Sequence, residues 1–227
     1  MAISREIRKK VNSDWQNAFP ELSLFAQDKL YKIVGPFVIG LELIKLPRLD
    51  EYRPHFAMYP LWRSDIKECL SIPIIIKEYY DRRGFQFSIP YDKHDGFFRE
   101  VLDCVEKQTL LAFVGEISIR KVISKLDDYS KGPPLNASPN SYLQAAIQEA
   151  KLRIALYIDL AGAQSIFGQI VKRKWDIHHF KACGVDVDKW LHSLQIAVSN
   201  RNDFLKQLEN NLSDIRLSSI KRSVLIE

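Results

Sequence analysis

The sequence predicts an α+β protein: an N-terminal antiparallel sheet of about four or five strands with flanking helices, followed by a helical C-terminal module. Three observations carry that expectation. From Leu30 to about Ile89 the apolar residues alternate or cluster in short runs broken by Pro and Gly, the pattern of strands. From Tyr142 onward they recur every three or four residues with almost no proline, the pattern of helices. Between the two, Lys131-Gly-Pro-Pro-Leu-Asn-Ala-Ser-Pro139 denies a regular ladder. The chain is therefore expected to divide into an α+β module over residues 1–130, a linker over 131–140 and a helical module over 141–227, two parts that can pack as one domain.

Each element has a local reason. Ser4 is placed to cap a helix that runs to about Asn17 and ends before Pro20. Ile3, Ile7, Val11 and Trp15 are spaced by four and line one face of it. Arg5, Arg8, Lys9 and Lys10 lie elsewhere, as a solvated outer face or, in a functional reading, a basic arm for nucleic acid. Residues 30–34 form a strand that stops at the turn pair Gly35-Pro36, and residues 37–46 form the next, closed by Pro47. Phe37, Ile39, Leu41 and Leu43 share one face of it; Glu42 falls on the other with Val38 and Ile44. Residues 55–59 lie between Pro54 and Pro60 and are expected near an edge or rim. Residues 72–80 and 85–89 flank Asp81-Arg-Arg-Gly84 as a hairpin. Connections this short favour antiparallel pairing.

Helices follow. Residues 96–107 read as amphipathic, with Phe97, Val101, Leu102 and Val105 on one side. Residues 110–129 fit a helix, although residues 117–123 also fit a strand. Residues 141–160 are rich in strong helix formers, and Gly162 and Gly168 then imply a kink or a second helix through Trp175. Asp186 or Asp188 is placed to cap a last helix through Trp190, Leu194, Val198 and Phe204 to about Leu212.

Composition bounds the function. Hydrophobic residues at 46% and charged residues at 27% exclude wholesale disorder. The net charge of +5 is uneven, about +1 through Ser130 and +4 beyond it, which permits an acidic partner without requiring one. The cysteines Cys69, Cys104 and Cys183 form no CxxC pair, so reduced thiols in a cytoplasmic setting are expected. The N-terminus is charged where a signal peptide would be apolar, and no apolar run approaches the ~18 residues of a membrane span. A soluble protein without a membrane partner follows.

Chemistry-bearing patterns are sparse. His178, His179, Cys183 and Asp176 resemble a metal cluster, yet only His179 and Cys183, spaced by four, share a helix face, and no second ligand pair exists. A restriction-type nuclease needs an acidic-x-Lys pair on one strand face. Glu42 and Lys45 are three apart and point to opposite faces, and Glu78 has Lys77 beside it rather than two away. The GxSxG, P-loop, GxGxxG and HExxH patterns are absent. Cys104 reads as an inert core thiol, and His94 and Asp95 as loop and cap residues. No cofactor is expected.

What remains is aromatic and basic interleaving at Tyr52, Arg53, His55, Trp62, Arg63, Arg82 and Arg83, flanking the expected strands, and at Lys172, Arg173, Lys174 and Trp175, closing an expected helix. Tyr, Trp and Arg dominate protein-interface hot spots. The leading expectation is a non-enzymatic module that binds a protein partner. Nucleic-acid binding through the basic C-terminal half is the alternative. An undetected metal-dependent nuclease or hydrolase is the third. In size and element order alone the chain resembles small bacterial immunity and adaptor proteins, which neutralise or tether a protein partner. That resemblance concerns the fold and argues no residue's role.

Overall fold

The computed structural model describes residues 4–226. In chain order its elements are α1 (Arg5–Ala18), β1 (Ser23–Ala26), β2 (Lys29–Val34), β3 (Phe37–Lys45), β4 (Glu51–Pro60), α2 (Ile66–Cys69), β5 (Ile75–Glu78), β6 (Ile89–Pro90), α3 (His94–Gln108), β7 (Ile117–Ser118), α4 (Ile119–Lys131), α5 (Tyr142–Ile158), α6 (Leu160–Lys172), α7 (Ile177–Ala182), α8 (Val187–Ser199), α9 (Arg201–Leu212), β8 (Arg222–Ser223) and β9 (Leu225–Ile226). The α+β class is as expected. Contacts divide the chain into one unit of residues 1–59, 75–116 and 214–224, and a second of residues 60–74, 117–213 and 225–227.

The first unit is built on the antiparallel path β1-β2-β3-β4-β5, with β6 added to β4 and β8 added in parallel to β2. Two tight turns set the register. Gly35, at φ 51, and Pro36 join Val34 to its partner Phe37. Asp28, at φ 66, closes the β1–β2 turn, a left-handed conformation that Asp tolerates better than bulkier residues. Strand β1 has no counterpart in the sequence expectation. Ser4 caps α1 through Ile7 N–H, as expected; Ile3 lies outside the described residues. Trp15 of α1 is fully buried and meets Phe98 of α3 edge-on at 5.2 Å.

Three expectations in this unit are corrected. Tyr52, Arg53 and His55 lie inside β4 rather than beside a strand, and β4 is interior to the sheet. Pro54 is accommodated because β6 pairs with Glu51 and Tyr52 while β5 pairs only from His55 onward. Residues 85–88 form no strand, and a single bridge joins Tyr80 to Gln86. Phe97 is 40% exposed, whereas Val101, Cys104 and Val105 carry the buried face of α3.

The second unit packs its helices on a core that includes Leu152, Leu156, Trp175, Phe180, Trp190 and Leu194. Residues 110–116 are not helical; the helix begins at Ile119 behind the two-residue strand β7, which pairs with β9. The break after α5 falls at Asp159, whose carboxylate accepts Gly162 N–H at 2.7 Å and caps α6. The expected single last helix is two, α8 and α9, broken at Asn200. Arg201 sits just past that break and donates to the carbonyls of Leu156, Tyr157 and Ile158, closing the C-terminal end of α5. The stretch 131–140 lies within this unit. Gln144 pins it by donating to Ser130 and Leu135 carbonyls, and Leu135 is buried.

Candidate functional site

The loop between β5 and β6 in the first unit brings exposed aromatic and cationic side chains together. Asp81 builds it. Its carboxylate accepts the backbone N–H of Arg83 at 2.8 Å and of Phe85 at 2.9 Å, and also the Arg83 guanidinium at 3.3 Å. These bonds, the Phe85 amide first, hold the Asp81 carboxyl below the usual carboxylate range. Asp81 N–H donates to Phe85 carbonyl and Gly84 N–H to Asp81 carbonyl. Gly84 takes φ 85, which a side chain would strain. The loop is thus held by its own hydrogen bonds. Gln108 of α3 secures its base by accepting from Tyr80 N–H at 3.0 Å and donating to Tyr80 carbonyl at 2.6 Å.

This scaffold presents Phe85, 65% exposed, with the Arg83 guanidinium 5.6 Å from its ring centre. Arg82 is exposed and makes no side-chain hydrogen bond or ion pair among the described residues. Beside them runs an open groove of about 530 Å³, with Phe97 and Glu100 of α3 on its other wall. Gln86 lines the groove and accepts from Arg53, which fixes its orientation.

The other sequence-selected residues separate by environment. Tyr52 is fully buried: Trp15 Nε1–H donates to its oxygen at 3.2 Å, and its O–H donates to His94 Nδ1 at 2.7 Å. The Asp14 carboxylate accepts from His94 Nε2–H at 3.1 Å and so leaves Nδ1 of the neutral ring to accept from Tyr52. Burial pushes the His94 pKa down against the pull of Asp14. His94 is therefore neither loop nor cap but the centre of an α1–β4–α3 polar chain. Asp14, His94 and Asp95 offer three ligand atoms within 4.8 Å of one another, and Lys10 already bonds both carboxylates. His55 is buried with Nδ1 near Arg53 carbonyl at 3.1 Å.

In the second unit, Trp62 packs against the helical core and Arg63 donates to Glu68 carbonyl at 2.9 Å. Arg173 donates to Asn140 at 3.0 Å and to Pro139 carbonyl, and lies 4.9 Å from the centre of the Trp175 ring. Burial lowers its pKa. Trp175 is 9% exposed and donates to Ile170 carbonyl. Lys172 and Lys174 alone of that cluster are exposed.

Sequence reasoning missed two clusters. Glu42, 7% exposed, accepts from Tyr31, from Tyr59 at 2.6 Å and from Lys29 at 3.1 Å. Lys45 instead faces Asp50. Lys32 is buried and donates to Phe113 carbonyl at 3.0 Å. The one available signal was a charged residue within an apolar strand. The chain matches no family model, no curated protein and no solved structure.

Proposed function

We propose that this protein is a non-enzymatic protein-binding module, of the kind that neutralises or tethers a partner, and that it docks through the 81–88 loop and the facing side of α3. The observation that supports this reading is the pre-organised loop that holds Phe85 out in solvent beside Arg82, Arg83 and Phe97. An exposed aromatic held rigid loses little conformational entropy on binding, so more of its buried area becomes affinity. The partner that fits offers an apolar anchor for Phe85 and Phe97 with a carboxylate beside it for Arg82.

The test is affinity capture from native cells with the wild type and with Phe85→Ala/Arg82→Ala. Both side chains are exposed, so the variant folds. A stoichiometric protein held by the wild type and lost from the variant is the expected result; a hot-spot aromatic contributes roughly 2 kcal/mol or more, about 30-fold in affinity. Equal retention by both, or no stoichiometric partner at all, refutes the reading.

A further inference from the structure

A second surface in the first unit has different chemistry. An open groove of about 430 Å³ runs between α1 and the β1–β2 hairpin, and no carboxylate is among the residues that line it. Its walls carry Arg5, Arg8, Lys9, Ser13, Gln16 and Gln27. On α1 these fall at helical spacing along one side, and the twelve residues from Arg5 to Gln16 span roughly 16 Å of helix rise. That is longer than a single phosphate requires and suits a chain of them.

Among the described residues, three of the basic residues of α1 lack a hydrogen-bonding partner for their charged groups. Lys10, the fourth basic residue of α1, bonds to Asp14 and Asp95, whereas Arg5, Arg8 and Lys9 have no hydrogen-bonded partner among the described residues. Arg8 lies 5.9 Å from the centre of the Tyr91 ring, with its Nε shielded from solvent and unpaired. A cation partly stripped of water and short of acceptors loses less on meeting a phosphate. The groove is also rigid. Asn12 donates to Asp28 at 2.9 Å and accepts from Asp28 N–H at 3.0 Å, which ties the helix to the hairpin.

We propose that the groove between α1 and the β1–β2 hairpin binds the phosphate backbone of a single-stranded nucleic acid through Arg5, Arg8 and Lys9. Ser13, Gln16 and Gln27 supply donors and acceptors for base edges, and Leu24, 43% exposed on the same wall, supplies an apolar contact. Unpaired bases can turn their Watson–Crick edges into such a recess, whereas a duplex has those edges already paired. This surface is separate from the 81–88 loop, so the two proposals fail independently.

The experiment is fluorescence anisotropy of labelled mixed-sequence single strands, RNA and DNA, with the full chain. Three neutralised phosphates give a log–log salt slope of about −2, roughly 18-fold weaker binding from 50 to 200 mM salt. Arg5→Gln/Arg8→Gln/Lys9→Gln should weaken binding at least tenfold at the lower salt and flatten the slope to near zero. Arg5→Gln/Lys9→Gln changes only exposed side chains and should leave a slope of about −0.7, which keeps the test valid if the triple variant is unstable. Lys172→Gln/Lys174→Gln should bind as the wild type does. No binding at about 100 µM protein and low salt overturns the proposal, as does binding unchanged in the Arg5 and Lys9 variant. A duplex or tripolyphosphate that binds as tightly as the single strand overturns it equally.

Discussion

Replacing Tyr52 by Phe removes one oxygen and breaks two buried hydrogen bonds. Trp15 Nε1–H loses its acceptor and His94 Nδ1 loses its donor, and both residues are at most 3% exposed. Water does not replace the hydroxyl in a site this closed, so each orphaned group costs ~1–2 kcal/mol, the lower part of the usual range because no carbon is removed and no large cavity opens. The first unit should therefore lose about 2–4 kcal/mol, equivalent to roughly 30- to 900-fold faster exchange of its best-protected amides. Amide exchange is the right assay, because two compact units need not unfold together and a single midpoint would mix them. Peptides covering residues 11–19 and 52–59 report directly on the helix and strand the hydroxyl joins. Tyr80→Phe is the control: its hydroxyl bonds Glu78 at an exposed site and should move stability by under about 0.5 kcal/mol. Protection in the Tyr52 variant within threefold of wild type would refute the reasoning.

Two further outcomes follow from the same packing. His94 is held neutral with its pKa depressed by burial, so the unfolded chain takes up its proton first as pH falls. Stability from this residue is full above the unfolded value, about 6.5, and declines as pH drops from there through the lower folded value; amide exchange of α1 between pH 7.5 and 5 should show that loss, and His94→Gln should remove this residue's contribution to the slope. Gly40→Ala should disrupt the sheet, because the added Cβ would sit 1.9 Å from Leu30 carbonyl oxygen and 2.8 Å from Tyr31 Cδ1; the oxygen belongs to paired backbone and cannot swing away, so the cost lies at or beyond the top of the ~1–3 kcal/mol overpacking range, read as lost strand signal in circular dichroism.

The fold was legible wherever a local reason was sufficient. Ser4 and Ser141 begin helices because a hydroxyl accepts an N–H three residues on, which sequence spacing displays. Gly35-Pro36 turns the chain for reasons confined to two residues. Failures mark places where a distant or competing partner decides. Residues 85–88 have strand composition, but the Asp81 carboxylate takes the Phe85 and Arg83 amides and bends the segment into a loop. β4 contains two prolines and is still interior, because its partner strands change at Pro54. The helix break at Asn200 carries neither Gly nor Pro, and Arg201 ties it to carbonyls more than forty residues earlier.

The same limit governs the candidate sites. Arginine and tyrosine were selected by type, and type does not reveal which side chains the fold has already engaged. Arg173 looked like a binding residue and holds Asn140; Tyr52 looked like one and bridges Trp15 to His94. Arg5, Lys9 and Arg82 had equal standing by composition, yet no carboxylate or carbonyl answers them among the described residues. A cation left unanswered in an open groove has its full hydrogen-bonding capacity available to a ligand, whereas one that must first release a carbonyl recovers only the difference. The two proposed surfaces, along α1 and at the 81–88 loop, are places where the structure leaves exposed charge and aromatic surface without an internal partner.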